Sequence, residues 1–277
     1  MASSKKPAIG YIGLGNAGHH LASVLSHAGY PLVVRDADSS RTSSFTSTHE
    51  NATAATGYSS FHDVDVLITM LPNGRTVREV LLGKSPASRR GSGAALDGVT
   101  GSGVAEYLKD GAVIVDTSSA SPYQTRETGT LLKEVNETLT LVDAPVTQEY
   151  AFALAKGEAT FMVGCDDSAV LEKVKPVLET MGKHVFVMGG LGTGHAMKTL
   201  NNYTSAASIL GLCDALVAGQ QFGLEAEKMV DVMNVGTGVN FSTKESFRTD
   251  VSFLIVASSF SSKSTCRVPR TNVVARV

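Results

Sequence analysis

The chain has one Gly-x-Gly-x-x-Gly spacing, at Gly13-Leu14-Gly15-Asn16-Ala17-Gly18, directly after the apolar run Ala8 to Ile12 and at the opening of a helical pattern near Asn16. In that setting the first glycine permits a tight turn. The second lets backbone N–H groups approach a pyrophosphate, and the third lets the helix pack closely on the strand, while the helix N-terminus favours negative charge. The chemistry implied is dinucleotide binding; the plain alternative is a tight β-to-α turn. Asp36 ends the next strand pattern about 20 residues on, where a carboxylate would accept hydrogen bonds from the adenosine ribose hydroxyls. That favours NAD over NADP. An ordinary strand-end acid is the alternative, and Arg35 beside it could instead meet a 2′-phosphate.

A second group lies in Gly192-Thr193-Gly194-His195-Ala196-Met197-Lys198-Thr199-Leu200-Asn201-Asn202. Lys198 and Asn202 are four apart, so on a helix they share one face about one turn apart. A lysine on the first turns of an otherwise small or apolar helix sits where the dipole disfavours a cation, and is misplaced unless it serves a purpose. In isolation it is also consistent with a solvated surface charge. Three more stretches close strand patterns: Thr69 to Asn73, containing Leu71 and Pro72; Asp116 to Ser119; and Asp143 to Glu149. Open α/β sheets bind ligands at that edge. Ser118 and Ser119 could bond cofactor or substrate, and are equally expected as turn formers or caps before Pro122. Thr147, Gln148 and Glu149 bring a hydroxyl, an amide and a carboxylate to the same crevice, or form a mere strand exit. His19, His20 and His195 are expected to be packed or solvated rather than catalytic.

The elements that must position these groups follow from periodicity. Strands are expected at Ala8 to Ile12, Pro31 to Arg35, Val64 to Leu71, Ala112 to Asp116, Leu139 to Ala144, Thr160 to Val163 and His184 to Met188. Leu21, Val24, Leu25 and Ala28, and Val170, Leu171, Val174, Val177, Leu178 and Met181, recur at helical spacing. This alternation predicts an α/β fold: a Rossmann-type doubly wound parallel sheet over residues 1–190, followed by a smaller, truncated all-helical domain over 191–277, atypical after about 238. The Gly- and Ser-rich stretch Lys84 to Gly103 is expected to be a surface loop inserted in the sheet domain. One long helix is expected from Gly194 to about Gly219 and a second ending near Val235. A net charge of -2 offers no surplus for a polyanion, which argues against nucleic acid. Three scattered cysteines suggest neither a zinc cage nor a disulfide framework. No apolar run approaches the roughly 20 residues of a membrane helix, and the start MASSKKPAIG shows no leader pattern, so the cytosol is expected rather than the mitochondrion.

Taken together, GYIGLGNAG, ITMLPN, VDTSS, LVDAPVTQE and GTGHAMKTLNN resemble, in order and spacing, the β-hydroxyacid dehydrogenase family, which includes 3-hydroxyisobutyrate, tartronate semialdehyde and 6-phosphogluconate dehydrogenases. The resemblance runs from about Ala8 to about Gly238. It implies that Lys198 is the catalytic acid/base and that Asn202 and Asn201 hold a small hydroxyacid substrate, with Thr147 and Gln148 at the substrate strand end. It further implies that Gly13 to Gly18, Leu71, Pro72 and Ser119 contact NAD. Such a reaction needs a group that takes the hydroxyl proton as hydride leaves. Three departures stand out. Thr147-Gln148-Glu149 replaces the family's Ser-Gly-Gly, Lys84 to Gly103 is an insertion, and Val251 to Val277 looks unlike the family's continuing helical domain, which usually supplies a dimer interface. A homo-oligomer is what the resemblance implies. A dinucleotide-binding protein without turnover is the alternative, and an imine reductase is a minor one that the lysine argues against.

Overall fold

The computed structural model describes residues 6–83, 102–147 and 151–246. Contacts divide the chain into two units, Met1–Thr199 and Leu200–Val277.

The first unit is built on one sheet. Its strands are β1 (Ile9–Ile12), β2 (Leu32–Arg35), β3 (Ala52–Ala54), β4 (Val66–Thr69), β5 (Val113–Asp116), β6 (Thr140–Asp143), β7 (Val146–Thr147), β8 (Ala159–Gly164) and β9 (Gly182–Gly189). The spatial order is β3-β2-β1-β4-β5-β6-β8-β7, with β9 pairing the other side of β8. β1 to β6 are parallel, and the chain direction reverses at β8, which runs antiparallel to β6 and β7. All seven expected strands are present. The all-parallel expectation holds only for the first six; β3 and β7, of three and two residues, were not foreseen.

Helices between the strands are α1 (Asn16–His27), α2 (Ser39–Thr48), α3 (Gly74–Leu82), α4 (Pro122–Val135), α5 (Ala151–Ala155) and α6 (Ser168–Met181). The central strands β1, β4 and β5 are buried throughout because both faces are covered. Alternation decides which residue faces which layer: Val66, Ile68, Val113 and Val115 join Leu21 and Leu25 of α1 and Val174, Val177 and Leu178 of α6. Leu67 and Ile114 join Val77, Val80 and Leu81 of α3 and Leu132 of α4. Two separate cores on opposite faces are what a doubly wound sheet requires. Side-chain caps fix several helix starts: Asp38 accepts from the N–H of Ser40, Asn73 from Thr76, and Asp167 from Ala169 and Val170. Pro122 opens α4, where its missing N–H costs nothing.

The long helix α7 (Thr193–Gln221) starts in the first unit and continues into the second, where α8 (Ala226–Val235) follows. Within the second unit Leu212 and Leu216 of α7 pack with Val230 of α8. Among the described residues, no helix is long and apolar enough to cross a membrane, and no group of His, Cys, Asp or Glu is placed to hold a metal ion.

Candidate active site at the strand ends

The glycine turn joins β1 to α1. Gly13 adopts φ +103°, in the region that side-chain-bearing residues avoid, and a Cβ there would overlap the carbonyl oxygen of Met70. A Cβ on Gly18 would overlap the carbonyl oxygen of Gly13, so the helix rests on the turn backbone to backbone. The Gly13 N–H donates to the Arg35 carbonyl at 2.9 Å. Asp36, just past β2, accepts from the Leu14 N–H at 2.6 Å and the Asp38 N–H at 2.9 Å, which locks the acid against the turn. Leu14, Gly15, Asn16, His19, His20, Ser40, Arg41 and Ser44 line a groove of about 430 Å³. The Arg41 guanidinium is 3.9 Å from Asp36. Burial holds His19 below the usual histidine range, and the neighbouring His20 and His49 push the same way. The turn, with glycine at 13 and 15, sits at a helix N-terminus open to this groove and fits a pyrophosphate. Ser40, Arg41 and Ser44 are groove residues that the sequence did not single out; the only cue was their place after Asp36. Asp36→Ala is expected to weaken NAD binding severalfold and NADP binding less, measured by calorimetry with both cofactors.

The turns after β4 and β5 are tied together. The Leu71 N–H donates to Ser118 Oγ at 2.9 Å, the Thr117 hydroxyl to the Thr69 carbonyl at 2.7 Å, and the Thr69 hydroxyl to Asp116 at 2.9 Å. Ser118 is therefore buried structure, whereas Ser119 and Pro72 are exposed and Leu71 is half-buried. Thr147 is half-buried at the end of β7; Gln148 and Glu149 lie outside the described residues, as does most of Lys84 to Gly103.

Asp116 and Asp143 are partners in the β5–β6 register, so two carboxylates stand side by side at neighbouring strand ends. Asp143 is wholly buried and accepts from the N–H groups of Gly192 at 2.6 Å and His195 at 2.7 Å. It thus caps the start of α7 from an adjacent strand, where the helix dipole favours an anion. Gly194 makes this approach possible, since a Cβ there would overlap the carbonyl oxygen of Met162. Burial pushes the Asp143 carboxyl above the usual range, against the opposing pull of those two N–H donors and His195. A carboxyl raised on folding binds more protons in the native state, so its contribution to stability is full below the unfolded value near 3.9 and declines as pH rises through the folded one. Asp143→Asn lacks this titration. The stability difference, wild type minus variant, is expected to shrink from about pH 4 upward in urea unfolding; a difference that grows with pH would contradict it.

One turn beyond the capped start, Lys198 is only 4% exposed. It is not a solvated surface charge. Asn201 is half-buried and Asn202 exposed, further along α7 in the second unit. His195 is completely buried and hydrogen-bonded, whereas His19 and His20 are half-buried beside the groove.

Comparison with known proteins completes this picture. The family model for the NAD binding domain of 6-phosphogluconate dehydrogenase matches residues 8–96 and 91–190, two segments that meet inside the Lys84 to Gly103 insertion. The model for the NAD-binding region of NADP-dependent 3-hydroxyisobutyrate dehydrogenase matches residues 192–265. That match extends beyond Gly238, where the sequence resemblance was expected to end, and includes part of the tail from Val251 that looked unlike the family. NAD-dependent L-serine dehydrogenase of Pseudomonas aeruginosa is 32% identical over 234 residues, covering 84% of this chain and 71% of the relative. Mitochondrial 3-hydroxyisobutyrate dehydrogenase of Mus musculus is 31% identical over 239 residues, covering 85% of this chain and 64% of the relative. The chain thus spans less than two thirds of the mouse protein's length. Among solved structures, a Mycobacterium tuberculosis 3-hydroxyisobutyrate dehydrogenase with L-serine superposes with a TM-score of 0.71 at 26% identity, covering 87% of this chain and 74% of that one. The match to an NAD binding domain and the NAD-dependent relative give NAD as the cofactor. With the turn, the strand-end motifs and the lysine helix in this order, and with these matches, the chain belongs to the β-hydroxyacid dehydrogenase family.

Proposed function

We propose that the chain is an NAD-dependent oxidoreductase that interconverts a short β-hydroxyacid of the 3-hydroxyisobutyrate type and its semialdehyde or keto form, with Lys198 as acid/base. The observation that carries this reading is the burial of Lys198 one turn into a helix whose start is fixed by Asp143. NAD, when bound, supplies the ring that accepts or returns hydride. In the oxidising direction Lys198 Nζ takes the hydroxyl proton while the C–H bond gives up its hydrogen and electron pair as hydride; in reverse the amine returns the proton to oxygen. Asn201 and Asn202 orient that oxygen without adding charge, and Thr147 and Gln148 bind the acid end. Gly13 to Gly18 and Asp36 hold the cofactor's phosphates and ribose, and Leu71, Pro72 and Ser119 border its reactive ring. Residues 1–190 bind cofactor, and α7 and α8 carry the helical part of 191–277 among the described residues.

A second reading, a dinucleotide-binding protein without turnover, is favoured by Thr147-Gln148-Glu149 standing where the family usually has Ser-Gly-Gly. The two are separated by following NADH absorbance with a panel of hydroxyacids that includes 3-hydroxyisobutyrate and L-serine, alongside NAD calorimetry. Turnover of a panel member supports the dehydrogenase. NAD binding with no turnover of any member supports the second reading.

A further inference from the structure

We propose that His195 is a positioning residue whose ring ties the turn after β5 to the first turn of α7 and so fixes where Lys198 stands. The inference rests on the acid/base reading of Lys198 and deepens it.

The ring is 0% exposed, and each of its nitrogens is committed. Nε2 lies 3.0 Å from the Ser118 carbonyl, which can only accept, so Nε2 carries a proton and donates. Nδ1 lies 2.8 Å from the Thr125 hydroxyl of α4, which can serve as donor or acceptor to it. The backbone N–H of the same residue donates to Asp143 of β6. One residue thus joins α7 to three other places in the fold. Its carbonyl accepts the Thr199 hydroxyl at 2.9 Å, which carries the tie into the next turn. Lys198 is three positions on and shares that side of the helix.

The partners determine what the tie does. Ser118 is the residue whose hydroxyl accepts from Leu71, so the ring grips the point where the two cofactor-side turns are joined. Asp116 and Asp143 flank the ring, with carboxylate oxygens 3.7 and 3.4 Å from its nitrogens. An apolar side chain of similar size would fill the space and leave the Ser118 carbonyl and Thr125 hydroxyl without this partner. A fully connected buried polar network admits one arrangement, whereas apolar packing admits several. A misplacement of about 1 Å in a reacting group can cost about 100-fold in rate.

The test uses the full chain as wild type, His195→Ala, His195→Gln, Thr125→Val and Lys198→Ala. NAD affinity is measured by calorimetry and kcat and KM with the best panel hydroxyacid. Labelling of Lys198 by an amine-specific reagent is read by peptide mass spectrometry, a readout that needs no turnover. His195→Ala is expected to lower kcat about tenfold to 100-fold, with KM and NAD affinity within about threefold, and to raise Lys198 labelling about fivefold. His195→Gln, whose amide N–H can reach the Ser118 carbonyl, is expected to recover much of both. Unchanged kcat and labelling in a folded His195→Ala protein overturn the proposal. So does an equal loss of NAD affinity in the Ala and Gln variants, which marks a merely structural residue. If His195→Ala does not fold, Thr125→Val and His195→Gln decide: Thr125→Val should lower kcat severalfold at constant NAD affinity, and wild-type values in Thr125→Val overturn the tie. Without turnover by any member of the panel, labelling alone decides by the same criteria. If Lys198→Ala turns over like wild type, the acid/base reading fails, while labelling in His195→Ala still reports on the tie.

Discussion

Lys198→Ala is expected to lower kcat by about 10²- to 10⁴-fold, the range for loss of a positioned acid/base, while NAD affinity stays within a few fold. The expectation rests on an expense that the fold bears. Lysine is almost never buried without purpose, and here it is buried near the end of a helix where the dipole repels a cation. Lys198→Met keeps most of the side-chain volume and removes the amine, so it separates chemistry from packing: its kcat should fall as far as that of Lys198→Ala, with thermal stability unchanged or higher. NADH absorbance under saturating hydroxyacid gives kcat directly. Equal rates in wild type and both variants would remove Lys198 from the reaction.

Gly18→Ala is expected to abolish measurable NAD binding, a loss of about 100-fold or more, and to destabilise the sheet domain by about 2–4 kcal/mol. The added methyl would overlap the Gly13 carbonyl oxygen, which is backbone and cannot rotate away as a side chain could. Relief requires α1 to slide off β1. That movement displaces the Leu14 N–H from Asp36 and turns the helix N-terminus away from the groove. Gly15→Ala is the control on the same turn. A Cβ at residue 15 meets only the Arg41 guanidinium at 3.7 Å, an ordinary contact with a flexible side chain, so its effect on stability should be within about 0.5 kcal/mol. NAD calorimetry and urea unfolding of the two variants provide the comparison; similar stability for both would mean that the close approach at Gly18 is not what the turn depends on.

The parts of this protein that were legible in sequence are those where a local steric or electrostatic rule leaves few choices. Three glycines at fixed spacing dictate a turn, and Lys198 in an apolar helix conflicts with the dipole, so both stood out without knowledge of the rest of the chain. His195 did not. Its partners Thr125, Asp143 and Ser118 are 70, 52 and 77 residues away, and no local pattern distinguishes a histidine that ties three elements from one that merely fills space. Arg41 was hidden for a different reason. The α2 segment Ser39–Thr48 is mostly Ser and Thr, poor helix formers, and it is held by the Asp38 cap and the buried Phe45 and Thr42 rather than by apolar periodicity. The reversal at β8 also carries no signal, since short apolar runs look alike in either direction. It is marked by a single residue pair with β6, Asp143 with Gly164, and by the antiparallel pairing of β7 with β8 across α5.

The first strand of the sheet is an interior one. β1 lies between β2 and β4, with Ile9 opposite both Leu32 and Val66, and all four of its residues are buried. During synthesis at about 5–20 residues per second, β1 must wait several seconds after emerging before the second of its neighbours is made. Nascent chains of this protein therefore pass through an interval in which an apolar strand has one open margin, and a ribosome pause between β2 and β4 would lengthen the time available for a chaperone to occupy it.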